Sequence, residues 1–313
     1  MRTLSRLAAT GVVAGLSLVA MDMAIDPVAQ ASRARPPAVA VDWVPPQWHP
    51  ASGELQAIPS MEGEGPDAIR LRSATSFVAD LDAGEVLHAH GADERRPVAS
   101  LTKYVSALAL STETVDLDQV HCVDARFYPT RSGARSRFST DECYLGWDLL
   151  GSALVASDNR AAYGLAVQSG LRYQDFIARM DQVSVDLRMS MSTWADPSGL
   201  EDENLSTARD MAKAALAVAN HPVLSVAATA PSWELVPVVG RRSRHLRATN
   251  RLLRRSDLEV LSGKTGYTDT AGYCFTGIVR TEEGRTLAIT LLGAPRSRDR
   301  WADLDRVLQE FGD

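Results

Sequence analysis

Pro97-Val98-Ala99-Ser100-Leu101-Thr102-Lys103-Tyr104-Val105-Ser106-Ala107-Leu108-Ala109-Leu110 reads as a turn followed by a helix with almost no polar face. Proline sets the turn, and a helix that is apolar nearly all round has to be buried in the core. Ser100 therefore falls at the start of a buried helix, with Lys103 one turn further on. Positions i and i+3 share a helix face, with Cβ atoms about 5–6 Å apart. A serine hydroxyl is a poor nucleophile without a base, and a partly desolvated lysine beside it can lose its proton near neutral pH. The positive helix end also favours an alkoxide and a tetrahedral anion. Alone, Ser-x-x-Lys is weak, since Ser100 could serve as a helix cap and Lys103 could sit on a solvated face. Leu101, Val105 and Leu108 leave little such face.

Around this helix, strand patterns lie at both ends of the folded region. Ser76–Leu81 and Val86–Ala89 form a hairpin pattern about the turn Asp82-Ala83-Gly84-Glu85. Late in the chain, Val260–Gly266, Gly272–Arg280 and Leu287–Leu292 are strands, and Ser297–Phe311 is a closing helix. Between them run helical patterns at Trp147–Ala156, Asn159–Gln168, Gln174–Val185 and Thr207–Ala219. Strands first and last with helices between imply an α+β fold. Its antiparallel sheet is formed from both chain ends and holds a helical insertion.

The chain has 313 residues, 45% hydrophobic and 23% charged, with 33 basic and 39 acidic side chains for a net charge of −6. This is globular composition, with no basic, aromatic-interleaved motif for nucleic acid. Arg2 and Arg6, the apolar run Leu7 to Met21 and the small residues of Ala29-Gln30-Ala31 predict a signal peptide over 1–31. Asp22 and Asp26 leave an uncleaved anchor as the alternative. Pro36-Pro37, Pro45-Pro46, Pro50, Pro59 and Pro66 make 32–67 a proline-rich linker, in which Trp43 and Trp48 pack back onto the domain or dock on a partner. The folded domain is expected over 68–313.

Two further motifs change the weight of the first. Ser157-Asp158-Asn159 lies between two helices, and Gly263-Lys264-Thr265-Gly266 ends an apolar strand, where glycines let a ligand approach the backbone. Each alone is a loop, cap or turn. Together, Ser-x-x-Lys, Ser-x-Asn and Lys-Thr-Gly are the three elements of penicillin-binding proteins and serine β-lactamases. From Arg72 to Gly312 the chain resembles the low-molecular-weight penicillin-binding proteins of the D-alanyl-D-alanine carboxypeptidase type. Further matches are Asp196-Pro197-Ser198-Gly199-Leu200, Ser206-Thr207-Ala208-Arg209-Asp210 and Ala271-Gly272-Tyr273-Cys274. Asp158, where many carboxypeptidases have glycine, resembles the endopeptidase branch. With 47 residues after Gly266, the second domain and membrane helix of the larger carboxypeptidases are not expected.

The resemblance implies a β-lactamase/DD-peptidase-like fold and assigns roles. Ser100 is expected to be the acylated nucleophile, Lys103 its base and Ser157 the proton shuttle to the leaving amine. Asn159 would hold the substrate amide, and Lys264 and Thr265 the substrate carboxylate. The N–H groups of Ser100 and Tyr267, beside Gly266, would form the oxyanion hole. Lys264 is expected to stay charged on an exposed strand end. No metal or cofactor is required. The expected partners are peptidoglycan stem peptides ending in D-Ala-D-Ala or cross-linked through D-Ala, with β-lactams as covalent inhibitors. Neither nucleic acid nor, after signal cleavage, a stable membrane anchor is expected, and the location is periplasmic or otherwise extracytoplasmic.

Other features are less decisive. Cys122 and Cys143 bracket a polar segment and are either disulfide-bonded or independent thiols, while Cys274 reads as a buried strand thiol. Seven arginines between Arg241 and Arg255 read as a solvated hairpin or helix face, or as a contact for an anionic wall polymer. A serine β-lactamase or a catalytically idle wall-binding protein are the alternatives. Glu201-Asp202-Glu203 lies in a segment typical of DD-peptidases rather than where a β-lactamase places its deacylating glutamate.

Overall fold

The computed structural model describes residues 61–111, 115–127, 136–240 and 242–313. The expected signal segment and residues 32–60 of the linker, with Trp43 and Trp48, lie outside them. In chain order the elements begin β1 (Thr75–Asp80), β2 (Glu85–His90), β3 (Arg96–Pro97), a 3₁₀ turn (Ala99–Leu101) and α1 (Thr102–Ser111). Next come β4 (Val120–Cys122), β5 (Cys143–Leu145), α2 (Gly146–Val155), α3 (Asn159–Gln168) and α4 (Tyr173–Asp186). They are followed by β6 (Leu205–Ser206), α5 (Ala208–Asn220), α6 (Leu224–Thr229), β7 (Ser232–Leu235) and β8 (Arg244–Arg247). A 3₁₀ helix (Arg251–Arg254), β9 (Leu258–Thr268), β10 (Gly272–Thr281), β11 (Thr286–Ala294) and α7 (Ser297–Phe311) complete the chain.

The main sheet has five strands in the order β2-β1-β11-β10-β9. All four pairings are antiparallel, and the register sets Thr75 opposite Leu292 and Asp80 opposite Leu287. Both ends of the chain therefore build it, as the strand pattern implied. Successive side chains of β1 serve opposite faces. Phe77 and Ala79 join the core shared with the helices, and Val78 joins the core under α7. On that second face Trp301, Leu304, Val307 and Leu308 pack against Phe275, Val279, Ile289 and Leu291. The apolar reading of α1 holds: its residues from Thr102 to Leu110 are all buried.

Packing begins earlier than Ala68. Met61 is fully buried, its carbonyl accepts from Arg209 Nη1 at 2.7 Å, and Pro66 O accepts from Ala89 N. Prolines and glycines exclude helix here but not an extended strap, so residues 61–67 belong with the domain rather than with the linker. Cys122 and Cys143 face each other across β4 and β5 and are disulfide-bonded. Cys274 is a buried free thiol, pushed up to about 11 by burial. The arginine-rich segment supplies β8, paired with β7, and the 3₁₀ helix after it. No helix among the described residues is long and apolar enough to cross a membrane.

Candidate active site

Ser100 sits in the 3₁₀ turn that feeds α1, and the turn is tight. Ala99 has φ +49°, a left-handed conformation that costs a non-glycine residue energy and is held by its surroundings. Thr102 Oγ1 donates to Ala99 O at 2.8 Å. Gly199 packs so closely on the other side that a methyl group there would lie 1.9 Å from Ala99 O. Held this way, Ser100 is partly exposed while Lys103 is fully buried beneath it. Lys103 Nζ donates to Ser100 Oγ at 2.9 Å, Asn159 Oδ1 at 2.7 Å and Ser198 O at 2.7 Å. Burial pushes the amine from 10.5 down to about 8, against the opposing pull of Asp196 and Asp158. A hydroxyl in contact with an amine that is partly neutral near pH 8 has the arrangement that a nucleophile and its base require.

The second motif approaches from the junction of α2 and α3. Ser157 also has a left-handed backbone, φ +60°, which turns its hydroxyl toward the sheet. Asp158 caps α3 by accepting from Ala161 N at 3.2 Å. The same carboxylate accepts from Ser136 Oγ at 2.8 Å and Arg137 N at 2.7 Å, so it also ties down the loop that the Cys122–Cys143 bond closes. Asn159, first residue of α3, is thereby placed against Lys103.

Lys264 departs from expectation. It lies in the interior of β9, opposite Thr276 of β10, and is 1% exposed rather than on an open strand end. Its Nζ donates to Ser157 Oγ at 2.8 Å and to Thr265 O at 2.9 Å. The flanking glycines explain the difference, because they let neighbouring chain close over the lysine instead of leaving it open. A methyl on Gly263 would meet Asn250 Nδ2 at 2.2 Å, and one on Gly266 would meet Val98 O at 2.9 Å and Ser100 N at 3.2 Å. Burial, with repulsion from Lys103 and Arg300, holds the Lys264 amine well below its ordinary value. The Gly266 contact lays the end of β9 against the Ser100 turn. There the Tyr267 ring is exposed and stacked on Tyr273.

All eight expected site residues thus converge from the Ser100 turn and α1, the α2–α3 junction and β9. Three contributors were not expected. Asp196 accepts from Gly199 N at 2.8 Å and Asn204 Nδ2 at 2.6 Å, holding the loop whose Ser198 carbonyl meets Lys103. Arg300 of α7 is buried behind β9 and donates to Cys274 O at 2.9 Å and Gly266 O at 3.3 Å. Thr249, whose N–H bonds Val155 O, accepts from Thr265 Oγ1 at 2.7 Å. The Asp196 motif was visible in sequence without a role, whereas nothing local marks Thr249 or Arg300. Among the described residues no group of three or more His, Cys, Asp or Glu side chains is placed to hold a metal.

Comparison with known proteins agrees with this geometry. The D-alanyl-D-alanine endopeptidase of Escherichia coli (strain K12) is 29% identical over 238 residues, 76% of this chain and 76% of its own. The D-alanyl-D-alanine endopeptidase of Pseudomonas aeruginosa is equally similar, at 29% over 238 residues and 76% of each chain. Penicillin-binding protein D2 from Listeria monocytogenes, solved in its cefotaxime-bound form, superposes with a TM-score of 0.66 at 26% identity, covering 78% of this chain and 98% of its own. A family model described as D-alanyl-D-alanine carboxypeptidase matches residues 62–295, the span that carries all three motifs and the sheet that unites them. By fold, motif geometry and extent of match, the chain belongs to the D-alanyl-D-alanine carboxypeptidase family.

Proposed function

We propose that the protein is a serine DD-peptidase that hydrolyses peptidoglycan stem peptides at D-Ala-D-Ala or at D-Ala cross-links through an acyl-enzyme. The contact that carries this reading is Lys103 Nζ, fully buried and 2.9 Å from Ser100 Oγ. Neutral Lys103 takes the hydroxyl proton as Ser100 Oγ bonds to the D-alanyl carbonyl carbon. The tetrahedral oxyanion is received by the N–H groups of Ser100 and Tyr267, one such donor being worth about 2.7–4 kcal/mol. Ser157, in contact with Lys264, relays that proton from Lys103 to the departing amine as the peptide bond breaks, which returns Lys103 to its neutral form and leaves Ser157 a hydroxyl. Asn159 orients the substrate amide, and Lys264 with Thr265 receives the carboxylate of the leaving residue. Water then attacks the acyl-Ser100 ester, with Lys103 again accepting the proton.

Asp158 and the endopeptidase names of the two relatives above favour cross-link cleavage over removal of a terminal D-alanine. The basic and then apolar residues 1–31 support a periplasmic or otherwise extracytoplasmic location, and β-lactams are the expected covalent inhibitors. A fluorescent penicillin tests the reading. It should acylate the protein once, and Ser100→Ala should abolish the label. Label persisting in that variant overturns the mechanism, and fast release of hydrolysed drug would make the protein a β-lactamase instead. Mass analysis of muropeptides after digestion then decides between the terminal and the cross-linked bond.

A further inference from the structure

Seven arginines fall between Arg241 and Arg255 in a chain whose net charge is −6. The structure sorts those it describes into two groups. Arg244 is held by Glu142 at 2.8 Å, and Arg255 by Asp257 and Asp305. Arg242, Arg247, Arg251 and Arg254 are exposed and form no ion pair among the described residues, and the last three lie nearest the active-site threonine contact. Nearby carboxylates are already committed: Glu234 faces His245, and Glu259 holds Arg280. In β8 Leu246 points inward, which puts Arg247 on the outer face. Arg251 and Arg254 are three apart in a 3₁₀ helix, where such side chains eclipse on one face. Arg251 is braced over the Trp301 ring at 5.4 Å.

Thr249 lies between these arginines. Its hydroxyl accepts from Thr265 in the active site, and its own side chain is exposed. Arg247 and Arg251 are each two residues away, at most about 7 Å of chain from the cleft rim. We infer that Arg247, Arg251 and Arg254 form a cationic rim that docks the cleft onto the carboxylates of polymeric peptidoglycan. The identity of the polymer rests on the peptidase reading above. Stem peptides repeat along a glycan strand, each with free carboxylates, so several weak contacts act together and raise the local concentration of scissile bonds. Exposed arginines without an ion pair among the described residues leave their charge available for such contacts.

The test is co-sedimentation with purified sacculi at low and high salt, beside acylation by a fluorescent penicillin. The parent should sediment at low ionic strength and be released as salt rises. Arg247→Glu/Arg254→Glu should lose about tenfold or more of this retention, by the usual size of electrostatic steering, while penicillin still acylates Ser100 at the parent rate. Arg247→Lys/Arg254→Lys should retain most of it. Parent-like sedimentation of the glutamate variant overturns the proposal, as does loss in the lysine variant. Sacculi stripped of phosphate polymers by hydrofluoric acid should bind equally well, and lost binding there overturns the carboxylate assignment. Failure of penicillin to label the parent counts against the peptidase reading alone, because sedimentation reads the rim independently.

Discussion

Lys103 and Lys264 are both buried, both lowered in pKa by desolvation and both in contact with a serine, so their roles have to be separated by what each faces. Lys103 meets Ser100, Asn159 and a carbonyl, and it titrates near 8. Only its neutral form can accept the serine proton. Acylation should therefore rise with pH as Lys103 deprotonates and level off above about 8, read as second-order penicillin acylation across a pH series. Arginine keeps the charge and cannot deprotonate, so Lys103→Arg should cost at least about a hundredfold in the same assay, the lower end of general-base effects. Lys264 answers to neighbouring charge: Lys103 and Arg300 push its pKa down, and an arriving carboxylate would draw it back up. Binding of a D-Ala-D-Ala peptide to Ser100→Ala protein should accordingly take up a proton. Calorimetry in buffers of different ionisation heat measures that uptake. The C-terminal amide of the peptide should show less of it, and equal uptake for both would assign the carboxylate to another group.

At the scale of elements, the site depends on how closely the end of β9 approaches the turn before α1. A methyl on Gly266 would collide with the backbone at Val98 and Ser100. Gly266→Ala should leave the circular dichroism spectrum intact yet slow acylation by about a hundredfold, as displacement of reacting groups by an ångström does. Elements with strong local cues were legible in sequence. α3, opened by the Asp158 cap, and α7 carry the boundaries expected of them, and α1 was legible because no solvated helix has that composition. The β4–β5 and β7–β8 pairs were not, because strands of three or four mixed residues are decided by their partners. Burial of Lys264 was missed for a related reason. Glycines either side of a lysine suggest openness, and only the tertiary structure shows what fills the space they leave. Thr249 and Arg300 belong to the same class, since their contacts with Thr265 and Gly266 cross elements far apart in sequence.

Over the whole molecule, the sheet is covered on one face by the helices and on the other by α7 together with Leu252 of the 3₁₀ helix, Ile69 and Leu71. Leu304, fully buried in that second layer, should cost about 2–5 kcal/mol when replaced by alanine, measured by denaturant unfolding. The Cys122–Cys143 bond closes a sequence separation of 21, and its removal by paired serine substitution should cost about 2–4 kcal/mol. The sheet also settles when the protein can first be active. Ser100 is made early, but the β9 end it packs against comes late, β9 is closed on one side by β10, and β1 is completed only by β11. A chain still emerging has every nucleophilic atom and none of the framework that arms it. Catalysis is thus timed to the end of synthesis: a growing chain cut short before Thr286 would carry an intact Ser-x-x-Lys motif and remain inert toward penicillin.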